Sequence, residues 1–134
     1  MKPHEEVKQE LIRQWLKKAG EDLNAARVLL SHEAPFLFAV GFHSQQAAEK
    51  YIKAILTLHQ IEFPKTHDLD ELLDLIEPID RNLANSLRDI IVLTKYGADI
   101  RYPGDIPDMT TEDAHEAIDL AYKVEKAILG KIIP

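Results

Sequence analysis

The chain has 134 residues, 46% hydrophobic and 29% charged, which fits one globular domain with its own core and leaves no room for a tandem pair. Its formal net charge of −7 repels nucleic acid overall, so any phosphate contact needs a local basic patch. Cysteine is absent, which excludes disulfides, thiolate nucleophiles and thiolate metal sites.

The opening MKPHEEVKQE is charged, with no apolar stretch behind it, and no run approaches the ~18 apolar residues of a membrane span. The expected location is the cytoplasm, with no membrane partner. Residues 5–31 read as one helix. Val7, Leu11, Ile12, Trp15, Leu16, Ala19, Leu23, Ala26 and Leu30 recur three or four apart as one apolar stripe, with Lys17, Glu21, Asn24 and Val28 opposite. Gly20 lies inside this pattern and allows a close neighbour. Pro35 suits a first helical position, so a second helix is expected over 35–59. Val40, Ala47, Tyr51, Ala54 and Leu58, extended by Leu37, Phe38, Ala48, Ile52, Ile55 and Leu56, form an apolar arc of roughly 200°. That width makes this helix central. Its remaining strip carries His43, Gln46, Glu49, Lys50 and Lys53.

A loop containing Pro64 follows. Asp68 with Glu71 is a capping-box pattern for a short helix, about 69–77, with Leu69, Leu72, Leu73 and Ile76 inward and Pro78 ending it. A fourth helix is expected over roughly 80–96, with Leu83, Leu87, Ile90, Ile91 and Leu93 inward, and Gly97 in the left-handed position common after a helix end. The connection that follows, YGADIRYPGD prolonged to Asp108, is long for a bundle, where ~2–8 residues are usual. Thr110 or Thr111, with Glu112 and Asp113, starts a fifth helix that buries Ala114, Ala117, Ile118, Ala121, Val124 and Ile128 and closes at Gly130. Nothing alternates with period two. The predicted fold is all-α, an antiparallel up-and-down bundle of about five helices forming one domain over 1–134.

Three groups of side chains are candidates for chemistry. In the long connection, Arg101 offers a planar fork for phosphate or carboxylate, Tyr102 a face for a base, and Asp99 or Asp105 a holder for Arg101. The competing reading makes Arg101 an internal ion pair and Tyr102 a plug for the bundle end. On the second helix, His43, Gln46, Lys50 and Lys53 share one face, suited to a phosphate-bearing ligand or an acidic partner surface. Its competing reading is a solvated or dimer-facing strip. His67 brings an imidazole, the side chain most often used as an acid–base group, and either orients the long connection, acts in that role, or packs beside Asp68. Gln45 falls at the apolar arc, where a buried amide needs partners, so it is expected to anchor a loop backbone or pair across helices. Ser44 and Gly41 serve close packing. His4, His32, His59 and His115 form no metal-ligand spacing, and no cofactor is expected beyond a nucleotide ligand.

GFHSQQAAEKYIKAIL on the second helix, FPKTHDLDELL after it and YGADIRYPGD before the last helix together resemble the HEPN domain family, named for higher eukaryotes and prokaryotes nucleotide-binding. The resemblance runs from about Leu11 to Leu129, with the motifs in the family's order. It implies an all-α bundle, a homodimer, and partnership with a small nucleotidyltransferase, often as a toxin–antitoxin module. It also implies nucleotide or RNA as ligand. The toxic members are metal-independent RNases whose motif is an Arg followed, after four to six residues, by a His late in the bundle. Here no His follows Arg81, Arg88 or Arg101 at that spacing, and Arg27 with His32 fits only on the first helix. The expectation is therefore a nucleotide- or partner-binding module rather than an enzyme. The alternatives are an RNA endonuclease using Arg101 with His43 or His67, and a non-catalytic dimeric scaffold.

Overall fold

Three long amphipathic helices frame the core, and the shorter elements close over them. The computed structural model describes residues 3–32, 35–97 and 108–132; among these it has helices and no strand. The helices are α1 (Pro3–Leu30), α2 (Leu37–Leu58), α3 (Leu69–Ile76), α4 (Arg81–Ser86), a 3-10 helix (Arg88–Tyr96) and α5 (Thr111–Ile132). Among the described residues, no helix is long and apolar enough to cross a membrane.

Side-chain pairs fix the topology. Trp15 meets Lys53 while Asp22 meets His43, so α1 and α2 are antiparallel. Tyr51 donates to Glu125 and Val40 clusters with Ala114, so α5 runs parallel to α2 and antiparallel to α1. The chain returns between them in three legs. Residues 59–68 climb along α2, α3 descends, and the 3-10 helix climbs again to α2's first turns. The all-α up-and-down bundle is thus confirmed, with α2 at its centre and buried almost continuously from Ala47 to Leu56.

Several local expectations are corrected. The fourth helix is two elements, because the chain tightens after Leu87. Leu87, Ile90, Leu93 and Tyr96 recur every third residue, which matches the 3-10 repeat of about three residues per turn, and all four are buried. The same change of period carries Ile91 out to solvent. Gly97 is not left-handed; its φ is −94°. Its lack of a side chain serves close approach instead, since a Cβ there would lie 2.5 Å from the Gln45 carboxamide. Gly41 does the same for the Tyr96 ring, which a Cβ would meet at 3.0 Å. Gly20 has only ordinary contact with Tyr51, and Gly130 lies within α5 rather than closing it.

Helix α2 begins at Leu37, two residues after Pro35, because Phe36 adopts a non-helical conformation with its ring edge-on to His32. Phe38 lies at the rim against Tyr96 rather than in the core. Asp68 caps α3 by accepting from the Asp70 and Glu71 N–H groups, but the reciprocal half of the box is absent. The Thr66 hydroxyl intercepts it, donating to Glu71 and accepting from the Asp68 N–H. A reciprocal cap does form at α5, between Thr110 and Asp113. Val7 and Leu11, expected inward, are exposed, because α2 ends at Leu58 and only the loop after it faces α1's first turns.

Candidate functional site

The polar strip of α2 is not one surface but two clusters at different depths. The inner cluster is built on Glu49, whose side chain is 4% exposed. Lys53 donates to Glu49 Oε2 at 2.8 Å, while the Nδ1 of His67 lies 2.8 Å and Gln45 Nε2 3.0 Å from Oε1. An ionised carboxylate only accepts, so Nδ1 carries the His67 proton. Gln45 spends its second amide hydrogen on the His67 carbonyl at 3.2 Å, and its oxygen accepts from Gln46 at 2.7 Å. Gln45 therefore does anchor a loop backbone, pinning residues 66–68 to α2. Lys53 is also buried, 5.6 Å from the centre of the Trp15 ring and 5.5 Å from that of Phe63. Burial alone would push the Glu49 carboxyl up, but the donors Lys53, His67 and Gln45 outweigh it and hold it below the usual glutamate range.

The outer cluster is built on Asp22 of α1. His43 Nδ1 lies 2.9 Å from Oδ1 and Lys50 Nζ 2.5 Å from Oδ2. Both α2 residues are partly exposed, unlike Lys53. One carboxylate thus bridges an imidazole and an ammonium two turns apart on α2, and this bridge ties α1 to α2.

The structure therefore brings Gln46, Lys53 and His67 into one cluster and His43 and Lys50 into another. The reading of α2's strip as solvated is corrected at Glu49 and Lys53. Both are covered by residues 59–68, whose Phe63 and His67 lie over them. Arg101, Tyr102 and Asp105, with Asp99, lie outside the described residues. The last described residue before them, Gly97, is pressed against Gln45.

Asp22 is the residue that sequence reasoning missed. It lies two turns after Trp15 on the same edge of α1, and the seven-residue spacing of His43 and Lys50 is the signal that one anion should face both. Among the described residues, no group of three or more His, Asp or Glu could hold a metal ion.

A family model for the HEPN domain matches residues 12–132. No curated protein and no solved structure matches the chain. The helical bundle, the motifs on α2 and before α3, and a family match over nearly all of the sequence agree: the chain belongs to the HEPN domain family.

Proposed function

We propose that this chain is a homodimeric, cytoplasmic HEPN module that docks a small nucleotidyltransferase within a toxin–antitoxin pair, and that it does not itself cleave RNA. The observation that supports this is the commitment of the basic side chains on and beside α2 to internal carboxylates. His43 and Lys50 are held by Asp22, and Lys53 and His67 by Glu49. A phosphate arriving on this strip would have to displace a carboxylate and would meet two negative charges. Recognition of a nucleotide phosphate or an acidic partner then falls to Arg101, with Tyr102 stacking and Asp105 steadying the guanidinium. His43, Gln46, Lys50, Lys53 and His67 then serve as internal structure rather than as ligand contacts.

Co-expression with a nucleotidyltransferase encoded beside this chain tests the reading. The wild-type pair co-purifies, and Arg101→Ala abolishes the complex; a complex that survives Arg101→Ala removes the site assignment. A nucleotide present at about a hundred times its dissociation constant stabilises the fold by ~2.7 kcal/mol, readable as a thermal shift.

One observation favours a second reading. The buried Glu49 fixes the tautomer of His67, whose side chain is 43% exposed, as a carboxylate does for an acid–base imidazole. RNA cleavage by the purified protein, lost in His67→Ala, would establish an RNA endonuclease. RNA left intact after long incubation removes that reading.

A further inference from the structure

Helix α1 carries a second periodicity that the core does not use. Val7, Leu11, Gln14, Lys18, Glu21, Ala25 and Val28 advance in alternating steps of four and three, the repeat of about 3.5 residues that a helix presents to another wound against it. The core-facing residues Ile12, Ala19, Leu23 and Ala26 lie on a different side. Val7 is 59%, Leu11 44% and Val28 61% exposed. Lys18 and Glu21, at the middle of the row, are exposed and, among the described residues, stand outside every ion pair. Each end of the row borders an apolar groove. One, of about 450 Å³, is lined by Val7, Leu11, Trp15 and Phe63, and the other, of about 470 Å³, by Ala25, Val28 and Leu29.

We infer that this row is the seam of a two-fold dimer in which α1 packs antiparallel against α1 of a second copy. The inference rests on the homodimer of the proposed function and names its surface. One antiparallel register sets Lys18 of each copy opposite Glu21 of the other, with the axis passing between them. The same register sets Leu11 opposite Val28 and Gln14 opposite Ala25, on both sides of the axis. Val28 of one copy then enters the groove beside Leu11 and Trp15 of the other, and Leu11 enters the groove beside Ala25 and Leu29. The row is thus complementary to itself in charge and shape, as a two-fold contact requires.

The alternatives are disfavoured by the same residues. Parallel pairing places Lys18 against Lys18 and Glu21 against Glu21, which repel. Sliding the antiparallel pair by one heptad sets Glu21 against Leu11 in one direction and Lys18 against Val28 in the other. Each leaves a charge facing an apolar side chain. The central polar positions therefore fix direction and register, and the apolar ends supply the attraction.

Sedimentation velocity over a concentration series tests this on the full chain and four variants, Lys18→Glu, Glu21→Lys, the double exchange of both, and Val28→Asp. All the substituted positions are exposed, and circular dichroism checks each fold. The wild type is expected to dimerise. Each single charge reversal and Val28→Asp raise the dissociation constant by about ten-fold or more, and the double exchange returns it to within about three-fold of wild type. Single reversals that dimerise like the wild type overturn the seam while the homodimer stands on another face. Single reversals that weaken the dimer without rescue by the double exchange overturn the register. A wild type that stays monomeric throughout removes the homodimer reading and the seam together.

Discussion

Glu49 and Asp22 each gather one lysine and one histidine, yet they do so at different depths. Glu49 lies beneath residues 59–68 with Lys53 buried beside it, so neither charge can turn to water if the other is lost. Asp22 lies at the α1–α2 rim, where Lys50 and His43 keep partial exposure. A buried ion pair must be matched within the fold, whereas a rim group that loses its partner can be hydrated. The strip is thus graded from a buried interior at Lys53 and Glu49 to a partly hydrated edge at His43 and Lys50.

Removing the inner carboxylate is the harshest test of that contrast. Glu49→Ala leaves the Lys53 ammonium buried without a counter-charge, and the expected loss is about 3–5 kcal/mol in urea unfolding. A loss under ~1 kcal/mol would mean that Lys53 escapes to solvent, and the two clusters would then be equivalent. Acid sharpens the same point. The Glu49 carboxyl lies lower in the folded chain than in the unfolded one, so its contribution is present at neutral pH. That contribution fades as pH falls through and below the ordinary glutamate range. Glu49→Gln should therefore flatten the acid limb of the stability profile, and an unchanged limb would contradict the assignment.

Gly97→Ala presses a methyl into the Gln45 amide, which Glu49 and the His67 carbonyl hold in place. Overpacking of this kind is expected to cost about 1–3 kcal/mol by thermal or urea melts. Asp22→Asn at the rim should cost less than Glu49→Ala, on the order of 1–2 kcal/mol, because His43 and Lys50 can be hydrated. A larger loss than at Glu49 would invert the proposed gradient. Gly130→Ala marks the small end of the scale. A Cβ there meets nothing within 4 Å inside a helix, and the exchange should stabilise the fold by ~0.5–1 kcal/mol.

Long amphipathic periodicity makes α1, α2 and α5 legible, because the apolar spacing persists over many turns and local exceptions average out. The split fourth helix is less so: Leu87, Ile90 and Leu93 suit either an α or a 3-10 repeat, and only the exposure of Ile91 separates them. Depth along α2's polar strip is not legible at all. Helical phase says which way Glu49 and Lys53 face, but not that an aperiodic loop will fold over them. Gln45 is the opposite case, since its place at the apolar arc announces a buried amide in need of partners. Asp22 escapes notice because a lone acid at the edge of a stripe reads as solvated. Its meaning comes from His43 and Lys50 on another helix. Arg101, Tyr102 and Asp105 lie outside the described residues, and their proposed role rests on the chemistry of their side chains.

The commitment of His43, Lys50, Lys53 and His67 to internal carboxylates is tested most directly by NMR. The His43 and His67 imidazole signals are followed while a nucleoside triphosphate is titrated into wild-type protein and Asp22→Asn. The account predicts that both signals stay in place in the wild type and that His43 moves in Asp22→Asn, where the anion replaces the lost carboxylate. Saturable movement of His43 in the wild type, equal to that in the variant, would show that the strip is open to phosphate and would contradict it.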